Sequence, residues 1–494
     1  MNGESFELKG ETMEDKKVQE KRGLIYQMSM SILANFTILG PAMSLGYSAV
    51  ILPTLRSPTT DLPITDDQES WIASAAALGT PIGCMLSSLI MRRGRRLSLM
   101  VTSTFSLIGW FLIYMSTNYD KLVVGRVISG VATGLASVPA TVYTAEIAGP
   151  LWRGVMVTWS SIAIALGVLL VYIFGYFLQD NWRLLALICG LFPAASIIMM
   201  LVSLPESPVW LRDKNRLDEA RVVMKKFRGV PKDQPTTPLI EQELNRPRNQ
   251  LAPEKRSLMK NLGKTSSLKP FFIMMAFFFF QQFSGVFVVV FYAVDITKEA
   301  GIEMNAYLGA ILIGITRLAG SILVACGSKK WGRRLPSVIS GVGMTVCMGL
   351  LSVYLFLTDR GHTIGDRGFI PAICILAYIF MSTIGFLTLP FAMVGEIFPS
   401  KVKDVLSGLT VCSAYTFSFV IVKCYPDMHK AMGGHGVFLF FAVVSLMGTV
   451  FVFMCLPETK GKTLNEIDEL FSRKKMNGVG NKEKMVMMKD MTSA

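Results

Sequence analysis

The feature that most constrains this chain is a series of long apolar runs separated by short polar segments. A helix of about twenty apolar residues crosses the hydrocarbon core of a bilayer. Backbone groups in lipid must find hydrogen bonds within their own segment, so runs of this length must be helices. The chain is 51% hydrophobic and 17% charged, which is far less charge than soluble domains carry.

The pattern therefore predicts an all-α membrane protein with twelve transmembrane helices. The predicted spans of the first half are residues 28–52, 70–90, 97–117, 122–143, 155–178 and 184–204. Those of the second half are residues 270–294, 305–327, 336–357, 369–394, 405–424 and 436–456.

Basic residues gather in the loops that follow the even-numbered spans, whereas the loop between spans 1 and 2 is acidic. Lysine and arginine mark cytoplasmic loops. Both termini are therefore predicted to lie in the cytoplasm. The basic loop residues are Arg92, Arg93, Arg95, Arg96, Arg153, Lys329, Lys330, Arg333, Arg334, Lys401 and Lys403.

The two halves of the chain repeat three short motifs in the same order. The matched pairs are Arg92-Arg93-Gly94-Arg95-Arg96 with Lys330-Trp331-Gly332-Arg333-Arg334, Glu146-Ile147 with Glu396-Ile397, and Leu204-Pro205-Glu206 with Leu456-Pro457-Glu458. Duplicated helical halves are typical of alternating-access transporters, whose substrate site lies where the halves meet.

This repeat divides the chain into five parts. They are a cytosolic tail at residues 1–26, a six-helix bundle at 27–204, a cytosolic linker with short helices at 205–269, a second six-helix bundle at 270–457 and a cytosolic tail at 458–494.

Several function classes are excluded by the same sequence. The net charge of +14 lies in short loops rather than on a continuous basic surface, so no nucleic-acid partner is expected. The eight cysteines are scattered inside apolar runs without metal-ligand spacing, so neither a metal nor another cofactor is expected. Three histidines and no nucleophile–base arrangement argue against an enzyme.

Several motifs together resemble the sugar-porter family of the major facilitator superfamily, over residues 27–471. They are the Gly-Arg-Arg loops, Gly125-Arg126, Tyr143-Thr144-Ala145-Glu146-Ile147-Ala148, Gln281-Gln282-Phe283-Ser284-Gly285 and Pro457-Glu458-Thr459-Lys460-Gly461. The segment Val422-Lys423-Cys424-Tyr425-Pro426 is similar to the insect trehalose-transporter-like branch. The resemblance implies the major facilitator fold.

The resemblance also implies charge pairs that lock the outward-facing state and separate as the inner mouth opens. The expected partners of Glu146 are Arg95, Arg96, Arg126 and Arg153, with Glu206 beside them, and those of Glu396 are Arg333 and Arg334, with Glu458. The alternative is that these are ordinary interfacial charges. Pro390, one turn after Gly385, predicts a kink in span 10, where the family places a flexible gate.

A sugar site needs amides and hydroxyls for the sugar hydroxyls and an aromatic face for its ring. Gln281 and Gln282 fit the family's pattern, whereas Phe287, Ser161 and Arg317 stand where its members commonly have amides. The residues expected to line the cavity are Gln281, Gln282, Phe287, Phe291, Arg317, Phe391 and Ser161. Arg317 is expected near mid-bilayer, either as a structural residue or as a ligand contact.

The sequence thus predicts facilitated transport of a sugar, either a hexose or a disaccharide such as trehalose, in the plasma membrane. Family symporters carry an acid in span 1, where this chain has Ser48, so no proton coupling is expected. Two alternatives stay open, a carrier of an anionic or other non-sugar solute and a receptor that binds sugar without moving it. Besides the solute, only the lipid bilayer is an expected partner, and the oligomeric state is open.

Overall fold

The structure, a computed structural model, describes residues 13–57, 60–231, 234, 238–244, 265–299, 305–327, 332–361, 368–398 and 402–458. Helices account for all the regular secondary structure in these ranges. The predicted C-terminal tail beyond residue 458 lies outside them, as do residues 1–12 of the N-terminal tail.

The helices follow the predicted order of spans. Spans 1 to 6 are Met13–Phe36 with Leu39–Leu55, Asp66–Met91, Arg95–Tyr114, Tyr119–Ala136 with Pro139–Ile147, Pro150–Val157 with Trp159–Phe177, and Trp182–Ser203. The linker helices are Pro208–Asp213, Leu217–Arg228 and Pro238–Leu244. Spans 7 to 10 are Thr265–Phe283 with Val286–Phe291 and Ala293–Glu299, Ala306–Gly327, Arg334–Asp359, and Phe369–Ile384 with Leu389–Ile397; Lys403–Cys455 holds spans 11 and 12.

Ten helical segments of the described chain are long and apolar enough to cross a membrane. One of them, Lys403–Cys455, contains a sharp turn at Gly433, where φ is 67° and ψ is 170°, so it is two spans. Span 7, made of Thr265–Phe283, Val286–Phe291 and Ala293–Glu299, is not among the ten. Counting both gives the twelve spans that the sequence predicts.

Two spans of the second half are broken inside the membrane. Span 7 stops at Phe283 and resumes at Val286, with Gly285 at a φ of 89°. A side chain at Gly285 would also collide with the ring of Phe441. Both the positive φ and the lack of space therefore require glycine at this position. Span 10 stops at Ile384 and resumes at Leu389, which is the predicted kink beside Pro390.

The first span begins well before the membrane, at Met13, so the predicted boundary at residue 26 falls within a helix. This cytosolic extension packs on the linker. Gln27 donates from Nε2 to the carbonyl oxygen of Phe227 over 2.7 Å, and its Oε1 accepts from the backbone N–H of Gly149 over 2.8 Å. The linker is therefore fastened to the first bundle.

The two bundles face each other along matched spans. Span 2 packs on span 11 and span 5 packs on span 8. The outer part of span 1 packs on the outer part of span 7. We call the end that carries Arg95 and Arg333 the inner end and the opposite one the outer end, following the predicted orientation.

Candidate functional site

Glu146 forms a charged cluster at the inner end of the first bundle. Its Oε1 accepts a hydrogen bond from Arg95 Nη2 at 2.7 Å, and its Oε2 accepts one from the hydroxyl of Ser207. Glu206 accepts from the backbone N–H groups of Arg95 at 2.9 Å and Arg96 at 3.2 Å. Because these N–H groups begin span 3, Glu206 acts as an anionic cap for that helix.

The second bundle repeats this cluster in detail. Glu396 pairs with Arg333 at 2.8 Å. Glu458 accepts from the backbone N–H groups of Arg333 at 2.9 Å and Arg334 at 3.1 Å. The structure therefore brings most of the predicted inner-end residues together as two copies of one arrangement.

Each of these ion pairs lies within a single bundle. This corrects the expectation that the pairs separate as the inner mouth opens. A rigid movement of one bundle against the other leaves both pairs intact, so their geometry does not favour separation as the inner mouth opens. Arg96 donates to the carbonyl oxygens of Met200 and Leu201, at 3.2 and 3.0 Å, instead of to Glu146.

Two further arginines of the predicted clusters also bind carbonyl oxygens. Arg334 donates to Phe453, and Arg153 Nη2 donates to Ala148 over 3.4 Å. Such side chains tie the ends of helices together. Several arginines were expected around each acid, but among the described residues Glu146 forms an ion pair with Arg95 and Glu396 with Arg333.

Arg126 does not join the Glu146 cluster, and this prediction is wrong. Twenty residues of span 4 separate the two, which is about 30 Å of helix. Arg126 is fully buried and donates to the carbonyl oxygen of Ser44 at 2.7 Å, to the hydroxyl of Ser48 at 3.3 Å and to the carbonyl oxygen of Ile72 at 3.3 Å. It lies toward the outer end because span 4 enters the membrane there.

Gln281 and Gln282 lie just before the break in span 7. Gln281 donates from Nε2 to the carbonyl oxygen of Leu387, at 3.1 Å, in the break of span 10. It therefore joins the two breaks. Gln282 donates to Gln281 Oε1 at 3.3 Å, while its own Oε1 is buried without a hydrogen-bond partner in the described chain.

Arg317 lies in the middle of span 8 and is 5% exposed. Its Nη1 is also buried without a hydrogen-bond partner in the part of the chain that the structure describes. Tyr172 of the first bundle and Tyr415 of the second are close enough to interact with its charge. Arg317 thus faces the contact between the bundles, as a cavity residue would.

The aromatic candidates fall into two groups. Phe287 and Phe291 follow the break in span 7 and are buried in the main apolar core. Phe391 follows the break in span 10, with its ring 5.0 Å from that of Phe278 and 6.1 Å from that of Tyr415. Ser161, on span 5, is partly buried, and its backbone N–H donates to the carbonyl oxygen of Thr158 over 3.1 Å.

Sequence reasoning missed the contacts that join the bundles. The hydroxyl of Tyr172 donates to the carbonyl oxygen of Val290 at 2.7 Å, and that of Tyr307 donates to Val50 at 3.5 Å. Both lie in the outer half of the membrane. Among the described residues, the hydrogen bonds and ion pairs that join one bundle to the other all lie in this outer part. We call this arrangement the outer-closed state.

Comparisons with known proteins agree with this architecture. The family described as "Sugar (and other) transporter" matches residues 26–471. The facilitated trehalose transporter Tret1-2 homolog of Drosophila simulans is 30% identical over 443 residues, which cover 88% of this chain and 90% of that protein. The facilitated trehalose transporter Tret1 of Culex quinquefasciatus is 29% identical over 443 residues, covering 88% of this chain and 85% of that protein.

The fold also matches that of a solved structure. The xylose transporter XylE of E. coli, a proton symporter of the major facilitator superfamily, aligns with a TM-score of 0.73 at 22% identity, covering 91% of this chain and 100% of that one. At this identity the likeness establishes the fold alone, and it confirms the predicted twelve-span arrangement.

Proposed function

The chain belongs to the sugar transporter family, and from this membership we propose that it carries a sugar across a membrane by facilitated transport, without coupling to protons. It is an integral membrane transporter and not an enzyme. The single observation that carries the sugar assignment is similarity along nearly the whole chain to facilitated trehalose transporters. Trehalose is therefore the first solute to test, followed by hexoses.

The surroundings of Arg126 support transport without proton coupling. A proton symporter needs a carboxylate in the membrane whose protonation responds to the substrate. Here the guanidinium bonds to Ser44, Ser48 and a backbone carbonyl oxygen, and the described residues place no carboxylate within hydrogen-bond distance of it. Serine at position 48 cannot release a proton at physiological pH.

The sugar site is proposed to lie between the breaks of spans 7 and 10 and the middle of span 8. Buried polar atoms without partners are costly, and two of them occur here, an acceptor on Gln282 and a donor on Arg317. A sugar hydroxyl supplies both a donor and an acceptor. Gln281, Phe287, Phe291, Phe391 and Ser161 complete the proposed lining.

The proposed location is the plasma membrane, with both termini in the cytoplasm. The basic loops at the inner end support this orientation. The clusters around Glu146 and Glu396 are proposed to brace the inner ends of the two bundles so that each moves as a unit, and the break before Pro390 gives span 10 a point at which to bend.

The test is solute flux in proteoliposomes without ion gradients. We expect labelled trehalose or a hexose to enter down its gradient, while a pH dye trapped inside reports no acidification of the lumen. Uptake that acidifies the lumen, because protons enter with the sugar, would overturn the uncoupled mechanism. Binding of sugar without flux would favour a receptor, and competition by organic anions but not by sugars would overturn the sugar assignment.

A further inference from the structure

We infer that charge pairs at the outer end form a latch that holds the two bundles together in the outer-closed state. This outer latch consists of Arg56, Asp66 and Asp67 of the first bundle and Asp295, Lys423 and Lys430 of the second. The inference rests on the proposed function only in that the latch would regulate its transport cycle.

Arg56 is the first cross-bundle contact. It follows span 1 and holds both carboxylate oxygens of Asp295 on span 7, at 2.8 and 3.0 Å. Glu69 of its own bundle fixes the other edge of the guanidinium. Burial disfavours the cation, but the bonds to Glu69 and Asp295 raise the pKa of Arg56 above its usual value. The pair is bidentate, which gives it a defined geometry.

Lys423 is the second contact and comes from the opposite bundle. Its ammonium group lies 2.9 Å from Asp67 Oδ1 and donates to the hydroxyl of Ser70. It also lies 4.8 Å from the centre of the Trp71 ring, a favourable position for a cation. The Lys423 side chain is 21% exposed, so it is held by three groups of the other bundle with little access to water.

Lys430 and Asp66 form a third pair at 2.8 Å. Both side chains are largely exposed, and such pairs contribute little. The rings of Trp71 and Phe419, with centroids 6.1 Å apart, add an apolar contact between the same two spans. The latch therefore depends mainly on Arg56 and Lys423.

The direction of the latch follows from where its partners lie. Arg56–Asp295 and Lys423–Asp67 each join one bundle to the other, so both must break when the outer mouth opens. The pairs at the inner end lie within single bundles. The latch thus stabilises the outer-closed state and not the outer-open state. The difference in free energy that it creates between these two states determines how far it shifts their populations.

The test measures how often the outer mouth opens, using a cysteine beneath the latch. Val290 is 1% exposed and lies on span 7, deeper in the membrane than Asp295. Intact cells expressing Val290→Cys are treated with a membrane-impermeant maleimide. The background carries Cys424→Ser, because Cys424 is exposed near Lys423.

We expect Lys423→Asp and Asp67→Lys each to raise the labelling rate about fivefold. This factor corresponds to losing an ion pair whose stabilisation lies near the upper limit measured for partly exposed pairs. The double variant exchanges the charges and should return the rate toward that of the parent. The matched control is Asp61→Asn, which removes an outer-end charge whose partner, Arg183, belongs to the same bundle; it should leave labelling unchanged.

Unchanged labelling in both single variants, or an equal increase in Asp61→Asn, would overturn the latch. If a charge-reversal variant fails to reach the cell surface, two other measurements replace it: labelling of Lys423→Gln, and labelling of the parent protein at high salt. Labelling should increase in both. The labelling experiment needs no solute, so it tests the latch independently of transport. If labelling changes as expected but the protein moves no sugar, only the proposed function is contradicted.

Discussion

Arg317 and Arg126 are two arginines held inside the membrane in different ways. Each nitrogen of the Arg126 guanidinium has at least one protein acceptor, so its burial is satisfied by the fold. Arg317 keeps one nitrogen without an acceptor in the described chain. Placing an arginine at the centre of a span costs about 2.5–3.5 kcal/mol of insertion free energy. A residue that costs this much is expected where its side chain has a function.

We expect Arg317→Asn to weaken sugar binding while the protein still folds. A charged hydrogen bond contributes about 1.5–3 kcal/mol, so the half-saturation concentration for the transported sugar should rise about tenfold or more. The substitution should also shift preference toward hexoses, because it places an amide where members of the family commonly have one. Labelled-sugar uptake and thermal unfolding with and without sugar measure the two effects.

Arg317→Lys is the matched variant, since it keeps the charge and loses the planar donor fork. Unchanged affinity and preference in a folded Arg317→Asn protein would make Arg317 a structural residue. A loss of thermal stability without any change in affinity would lead to the same conclusion.

The sequence could place Arg317 but not its neighbours. Its depth follows from counting residues back from the basic loop, because a helix rises 1.5 Å per residue. Tyr172 and Tyr415 stand in apolar runs where nothing distinguishes them from other packing residues. Arg126 was grouped with the wrong cluster because the family motif was used without the direction in which span 4 crosses the membrane.

Spans 2 and 4 show how single glycines decide the packing of whole elements. A side chain at Gly130 would collide with the carbonyl oxygen of Ala76, and one at Gly134 with that of Thr80. Gly79 and Gly83, on span 2, face the backbone of span 4 equally closely. Small residues let transmembrane helices approach in this way, so these glycines set how closely spans 2 and 4 pack.

We therefore expect Gly130→Ala to destabilise the first bundle by about 1–3 kcal/mol, the usual cost of overpacking. The matched control is Gly349→Ala in span 9, where an added methyl group meets nothing within 4 Å. Alanine is the better helix former by about 1 kcal/mol, so the control should be neutral or slightly stabilising. Thermal unfolding in detergent compares them, and equal loss in both variants would contradict the crossing.

The breaks in spans 7 and 10 differ in how far the sequence reveals them. Pro390 removes a helix hydrogen bond wherever it stands in a span, so a kink could be predicted. The break at Gly285 was missed, because glycine inside an apolar run is common in membranes. Only its left-handed backbone and the ring of Phe441 show that the helix must stop there.

At the scale of the molecule, the two ends of the bundles use charge differently. Glu146 and Glu396 at the inner end pair within a bundle, whereas Arg56 and Lys423 at the outer end join one bundle to the other. The repeat in the sequence predicted the first arrangement, because both copies carry the same motif. Nothing in the sequence pairs Lys423 with Asp67 across more than three hundred residues, so the second arrangement could be found only in the structure.

This difference predicts an asymmetric carrier. If the latch holds most empty molecules outer-closed, only a small fraction binds sugar from outside, and the apparent affinity for uptake falls by that fraction. Lys423→Gln should therefore lower the half-saturation concentration for uptake several-fold and raise that for efflux. A passive carrier cannot alter the equilibrium of its solute, so the ratio of maximal rate to half-saturation concentration must stay equal in the two directions. Zero-trans uptake and efflux in oriented vesicles measure the maximal rate and the half-saturation concentration in each direction. If the half-saturation concentrations for uptake and efflux of the variant change in the same direction, the latch does not set the balance between the outer-closed and outer-open states.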